Sequence, residues 1–302
     1  MKRYEIFVKE AKKTVNQKDI GKEVIEKDIQ NNDIESIKEY IDSINEELMY
    51  EVCKISINYA NTDIFKLLYN NLVEKSKKYE KKEIVTNLFR YVASSPELAG
   101  GSKKDNVEPE ERENFVTNMI NLLIEDGADI ESNNKFPLRL SVEKGHVGAV
   151  KILLEKGCKP KETMLVNGSR NYEIFKMLVE KGADPNKNLN NILVTLSRTP
   201  NCGPVMKYLV DDLKIELKND NVPTLTDKTS ANFLYYLIIG GINAQYILKH
   251  EPKLASTLKD FEFQKELIER YPHRIKEIES ILHPDIRTDV KTKDIASMSD
   301  WG

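Results

Sequence analysis

The chain has 302 residues, 31% charged and 40% apolar, with a formal net charge of −3. That balance suits a soluble protein and offers no basic excess to recruit nucleic acid or an anionic membrane surface. The longest apolar stretch, Phe233 to Ile242, is half the roughly 20 residues a membrane-spanning helix needs, and the widely spaced Cys53, Cys158 and Cys202 suggest free thiols in a reducing compartment.

The N-terminus, Met1-Lys-Arg-Tyr-Glu-Ile-Phe-Val, puts charges where a signal peptide needs an apolar run. Behind it begins a register that recurs along the chain: an apolar residue, then lysine, with bulky apolar residues within the next three positions. It occurs at Ile37-Lys38, Phe65-Lys66, Val150-Lys151, Phe175-Lys176 and Met206-Lys207. Asn121 and Gln245 hold the lysine's place in two further units, so the steps from Lys38 are 28, 55, 30, 25, 31 and 38 residues. Apolar residues at i, i+3 and i+4, such as Ile174, Met177 and Leu178, make one buried stripe per unit and turn the lysine to solvent. Carboxylates three residues ahead (Glu35/Lys38, Asp63/Lys66, Glu173/Lys176) add about 0.2–0.5 kcal/mol each. The basic run at Lys75, Lys77, Lys78, Lys81 and Lys82 is interleaved with Glu74, Glu80 and Glu83 and reads as a solvated helix junction. The one long step contains a loop, Ser94 to Glu113; without it, 55 falls near the other spacings.

From Phe136 to Gly157 the pattern is a short helix, a Gly145-His146 turn, and a second helix closed by Gly157. A shorter echo runs from Asn171 to Pro185. Helix pairs this small cannot bury their own apolar faces, so they must stack. Gly127, Gly157 and Gly182 each follow an apolar segment plus two charged residues, where a left-handed closing residue is wanted. Toward the end, Leu267, Ile268, Tyr271, Ile275, Ile278 and Leu282 form the stripe of a terminal capping helix pair, with Pro272 in the first turn of its second helix. After His283 the pattern stops, and residues 284–302, which hold Trp301, are expected to be a disordered tail.

These features resemble the ankyrin repeat, whose period is about 33 residues. Gly127-Ala-Asp-Ile-Glu and Gly182-Ala-Asp-Pro-Asn look like the family's exit turn, Pro137-Leu138 like the start of its first helix, and Gly145-His146 like its inter-helix turn. The likeness is best over residues 127–186. It implies an all-α, ankyrin-like helical solenoid of about seven stacked helix pairs, one domain spanning residues 1–283 with an insert at 94–113. Phe136 and Arg139 replace the Thr and His that tie down the family's β-hairpins, and only four residues separate Glu131 from Phe136. The β-hairpin fingers should therefore be short or absent. The step of 25 implies a truncated first helix around Glu162 to Asn167.

The resemblance further implies a non-enzymatic, monomeric protein–protein interaction module that binds and blocks or scaffolds another protein, with no cofactor, nucleic-acid or membrane partner. A cytoplasmic setting is expected. The Lys/Asn/Ile-rich, degenerate repeats resemble ankyrin proteins of host-associated bacteria and large DNA viruses, which would place the action inside a host cell. Carried onto this sequence, the family's variable contact positions are Ser132, Asn133, Lys135, Glu143, Lys144 and Ser169. Arg139 stands in the place of a structural His, as either a contact or a substitute hairpin tie. The insert and the terminal Ser299-Asp-Trp-Gly are further candidate contacts. Two other readings stand beside this one: a ubiquitin-ligase adaptor acting through the C-terminal segment from Tyr271, and an unrecognised enzyme. Against catalysis, His146, His250, His273 and His283 form no i,i+4 metal pair and no nucleophile motif. Gly100-Gly101 and Gly240-Gly241 lack a phosphate-cradling pattern, and Cys158 takes a buried small-residue position.

Overall fold

The computed structural model describes residues 21–77, 79–95, 108–226, 229–254 and 269, and every regular element among them is helical. The chain divides between Pro160 and Lys161 into two compact units. The first contains α1 (Lys22–Gln30), α2 (Ile34–Tyr40), α3 (Glu46–Asn58), α4 (Thr62–Lys75), α5 (Lys81–Ser94), α6 (Pro109–Glu125), α7 (Ser132–Lys144) and α8 (Val147–Glu155). The second contains α9 (Met164–Gly168), α10 (Tyr172–Glu180), α11 (Leu189–Leu196), α12 (Gly203–Lys207), α13 (Ala231–Ile239) and α14 (Ala244–His250). Among these described helices, α1–α2, α3–α4, α5–α6, α7–α8 and α9–α10 pack as consecutive pairs.

One hydrogen-bond pattern recurs at turns both within and between the pairs. A helix closes on a left-handed residue whose N–H bonds back three positions, and the next N–H reaches back five, satisfying two orphan carbonyls. In α7 these are Gly145 N–H to Val142 O (3.2 Å) and His146 N–H to Ser141 O (2.9 Å). The same two bonds recur at Asn32-Asp33, Ala60-Asn61, Gly127-Ala128, Gly157-Cys158, Gly182-Ala183 and Gly241-Ile242. Gly127, Gly157 and Gly182 have φ of 95°, 97° and 98°, as their placement after each apolar segment requires. Asn32 and Ala60 hold the same conformation at φ 55° and 52° without being glycine. The residue after the turn then starts the next helix: Asp33 accepts from Ser36 N–H at 3.0 Å, and Asn61 from Ile64 N–H at 3.0 Å.

Within the first unit, the first helices of successive pairs form a row, α1 on α3 on α5 on α7, while α6 packs on α8. Ile25, Val52, Ile57, Val85, Leu88 and Leu138 are buried along the row, and Phe65, Leu68, Val116, Met119, Val150 and Leu153 fill the second helices. Successive turns are also tied together: Asn61 Nδ2 donates to Asn32 Oδ1 at 2.7 Å. At the α6–α8 contact, Glu113 Oε1 accepts from the Gly148 N–H at 2.5 Å, and its other oxygen lies 3.4 Å from His146 Nδ1. His146 is buried there, as the last residue before α8. The side chains of α6 come so close to Gly148 that a Cβ there would stand 2.1 Å from Thr117 Oγ1.

In the second unit α9 and α11 pack together, α10 meets α12, and α12 meets α13. Helix α9 has five residues, Met164–Gly168, and is the shortened first helix expected near Glu162. Helix α12 runs into a π turn at Tyr208–Asp212, after which Lys214 takes φ 54°. An extended strap then crosses the end of α13, where Leu217 N–H donates to Gly240 O at 2.7 Å. A Cβ at Gly240 or Gly241 would lie within 3 Å of Leu217 atoms, which is the structural demand behind that glycine pair. The apolar run from Phe233 is a buried helix, and no helix among the described residues is long and apolar enough to cross a membrane.

Several expectations need correction. The last five residues of the expected loop, 109–113, are the first turns of the 17-residue helix α6. Pro109, followed by Glu110 and Glu111, is a helix N-terminus, where proline loses no bond and carboxylates meet the positive end of the helix dipole. Pro137 does not begin its helix: α7 starts at Ser132, and proline deletes one bond, to the Asn133 carbonyl. Of the carboxylate–lysine pairs, Glu35–Lys38 closes at 2.8 Å, but Lys176 pairs with Glu180 at 3.8 Å in place of Glu173. Residues 96–107 of the insert, the capping pair apart from Glu269, and the tail lie outside the described residues.

Candidate functional site

Each first helix in the row α1–α3–α5–α7 has one buried face and one half-exposed face, and the half-exposed faces join into a strip. On α3 the spacing of Glu47, Tyr50, Glu51, Lys54 and Asn58 keeps them on one side of the helix. On α5 the corresponding residues are Glu83, Asn87, Arg90 and Tyr91, and on α7 Phe136, Arg139 and Glu143, with Ser132 buried at the start of that helix.

The strip is stitched together by polar and aromatic contacts. Lys54 Nζ lies 4.4 Å from the Tyr50 ring centroid and 5.8 Å from that of Tyr91, a cation between aromatic faces of α3 and α5. The same ammonium donates to Glu51 at 2.9 Å, and Lys22 of α1 reaches that carboxylate at 3.7 Å. The Lys54 hydrogen bond holds the Glu51 carboxyl below the usual carboxylate range, and the charge of Lys22 adds to the effect. Tyr50 also faces Tyr79, with ring centroids 6.3 Å apart. Burial, then the charge of Glu51, pushes the Tyr50 hydroxyl up to about 12, so it remains a protonated donor at neutral pH. Tyr91 donates to Asn58 Oδ1 at 3.0 Å. Arg90 crosses to α7, donating from Nε to Ser132 Oγ at 3.2 Å and from Nη1 to Asn87 Oδ1 at 3.3 Å.

The residues singled out from the sequence fall on both sides of this surface. Arg139 and Glu143 are exposed at the α7 end, 3.8 Å apart, with the Arg139 guanidinium 5.2 Å from the Phe136 ring centroid. Arg139 therefore lies along its own helix, with no hairpin among the described residues to tie. Lys144 is half-exposed, beside the turn. Ser132 is buried and serves as the acceptor for Arg90. Ser169 is 1% exposed, in the second unit, and its hydroxyl donates to Val166 O at 2.7 Å, so it presents no contact surface. Asn133 and Lys135 lie on α7, but their side chains are outside the described set. The sequence reading missed Tyr50, Lys54, Arg90 and Tyr91. No clean polar stripe marks them, and the inter-helix turns of their region lack the Gly-His that would have drawn attention there.

Other chemistry is sparse. The three thiols are free and buried, and burial raises the pKa of Cys53 and Cys202. No group of three or more His, Cys, Asp or Glu among the described residues is arranged to hold a metal ion. His250 is exposed and holds the Tyr246 carbonyl at 2.8 Å through Nδ1. In the second unit a shallow cavity of about 410 Å³ is lined by Asn186, Lys214, Glu216, Lys218 and Asn221 among others. No family model, curated protein or solved structure matches this chain.

Proposed function

We propose that this chain is a non-enzymatic binding module, an ankyrin-like stack of helix pairs that holds another protein on its first-helix face. The observation that carries the reading is the strip from Lys22 to Arg139. It joins four successive first helices, mixes tyrosine faces with charged and amide groups, and is held by contacts between helices. Tyrosine and arginine at the centre of a partly desolvated surface are the residue types on which protein interfaces concentrate their energy. The lysines of the second helices (Lys38, Lys66, Lys151) are exposed and form a solvated outer face, with Lys38 paired only to Glu35 of its own helix. Monomeric, cytoplasmic action on a single protein target completes the reading.

The test is capture from a cell lysate with the whole chain, a strip variant (Tyr50→Ala, Lys54→Ala, Arg139→Ala) and an outer-face variant (Lys38→Ala, Lys66→Ala, Lys151→Ala), each confirmed folded by circular dichroism. A partner kept by the outer-face variant and lost by the strip variant is the expected result. A partner retained by the strip variant would move the site elsewhere, and no specific partner from any of the three would sink the reading.

A further inference from the structure

Among the cations of the strip, Arg90 is set apart by what it lacks. Lys22 and Lys54 share Glu51, and Arg139 faces Glu143. Arg90 has no carboxylate within ion-pair distance among the described residues. Its partners are the neutral oxygens of Ser132 and Asn87. Those two bonds come from different helices and fix the guanidinium at the α5–α7 junction, half-buried, so most of the ordering cost of the long side chain is met before any ligand arrives. A guanidinium offers five donors in a rigid fork. Nε and Nη1 are engaged here, which leaves the remaining donors of the fork and a full positive charge that nothing in the strip neutralises.

A partly desolvated, pre-oriented cation is costly unless an anion completes it. We propose that Arg90 is the anchor for a single carboxylate side chain of a peptide segment lying across α3, α5 and α7, with Tyr50 and Tyr91 taking the apolar parts of the same segment. The inference rests on the protein-binding reading of the strip and specifies the charge of the partner. Charge complementarity at this one position selects a carboxylate: a basic group would meet Arg90, which no ion pair opposes, and a neutral one would leave its charge unmet. The match is local, because Glu47, Glu51 and Glu83 on α3 and α5 disfavour a run of acidic residues. Replacing a charge-assisted contact of this kind weakens binding by about 10- to 100-fold.

The test is fluorescence anisotropy of the full chain with labelled short Tyr/Ala peptides that carry one central Glu, Gln or Lys, at low and moderate salt, with a labelled oligothymidine as a fourth probe. The Glu peptide should bind tightest. Arg90→Gln should lower its affinity by about 10- to 100-fold toward that of the Gln peptide, which itself should change little. Arg90→Lys keeps the charge but loses the fork and should fall between the two. Melting curves that match wild type for Arg90→Lys keep the comparison valid if Arg90→Gln proves unstable. Equal binding of the Glu and Gln peptides, or an Arg90→Gln variant that keeps the preference, would overturn the anchor yet leave a protein-binding face standing. Oligothymidine binding without Glu-peptide binding would overturn it in favour of a phosphate backbone. Failure of all the peptides and the oligonucleotide would overturn both the anchor and the strip.

Discussion

Replacing Gly148 with alanine sets two effects of opposite sign against each other. An ordinary helical Gly→Ala exchange stabilises by roughly 0.5–1 kcal/mol, because alanine loses less backbone freedom on folding. At this position the new Cβ would stand 2.1 Å from Thr117 Oγ1, 3.3 Å from Thr117 Cβ and 3.2 Å from Glu113 Oε1. A χ1 rotation can swing Oγ1 aside, but Thr117 Cβ is fixed to its helix, and Glu113 is held by the Gly148 N–H itself. Overpacking of this kind costs about 1–3 kcal/mol. The steric effect wins, and Gly148→Ala should be destabilised by a net of about 1–2 kcal/mol, or a melting temperature lower by roughly 2–8 °C in a unit of this size. The assay is urea denaturation of the full chain followed by circular dichroism, with Thr117→Ala and the double variant completing a cycle. The double variant should recover at least about 0.5 kcal/mol relative to the sum of the single ones. A Gly148→Ala protein at or above the wild-type midpoint, or a strictly additive cycle, would refute the close α6–α8 approach.

Four further outcomes follow from local geometry. Ala60→Gly should stabilise the chain by up to about 1 kcal/mol, since a left-handed alanine is strained, and Gly182→Val should cost at least about 1 kcal/mol; paired thermal melts check both. Gly241→Ala combines φ of 122° with a Cβ 2.8 Å from the Leu217 carbonyl, so a loss of about 2–4 kcal/mol is expected, read by denaturant titration. Tyr69 donates to Asp126, and that bond, with Lys81 at 3.0 Å, holds the Asp126 carboxyl below its ordinary range. A depressed carboxylate stabilises above its unfolded pKa and loses that contribution as pH falls through the folded one. Tyr69→Phe should therefore cost about 1 kcal/mol at neutral pH, with the deficit shrinking in acid once Asp126 is protonated; a pH-independent deficit in the melting series would exclude this linkage.

The sequence placed the apolar-lysine register on a second helix in one unit, at Lys151 between His146 and Gly157, and left its place in the other units open. In the structure all five lysines of the register sit on second helices, each behind a fully buried Ile37, Phe65, Val150, Phe175 or Met206. Second helices announce themselves because one narrow face is buried and the residue beside it is driven to solvent, a contrast that survives in composition. First helices do not: α3 and α5 are buried on one side by the core and half-covered on the other by their neighbours in the row. Their outward residues are therefore tyrosines, amides and paired charges, with no clean polar stripe. The N-terminal turns were hidden for a related reason. The expected mark was glycine, yet the backbone demands only a left-handed residue, and asparagine at Asn32 or a strained alanine at Ala60 meets it. The candidate surface thus fell where both cues fail together. The resemblance drew attention to Ser132 and Ser169, whose small polar side chains turn inward as acceptor and donor. The half-exposed aromatic and guanidinium groups, whose worth depends on which neighbours neutralise them, became visible only when their distances could be read. Arg90 is the clearest case: nothing in its sequence neighbourhood marks it, and only the neutrality of both its partners shows that its charge is left for something else to meet.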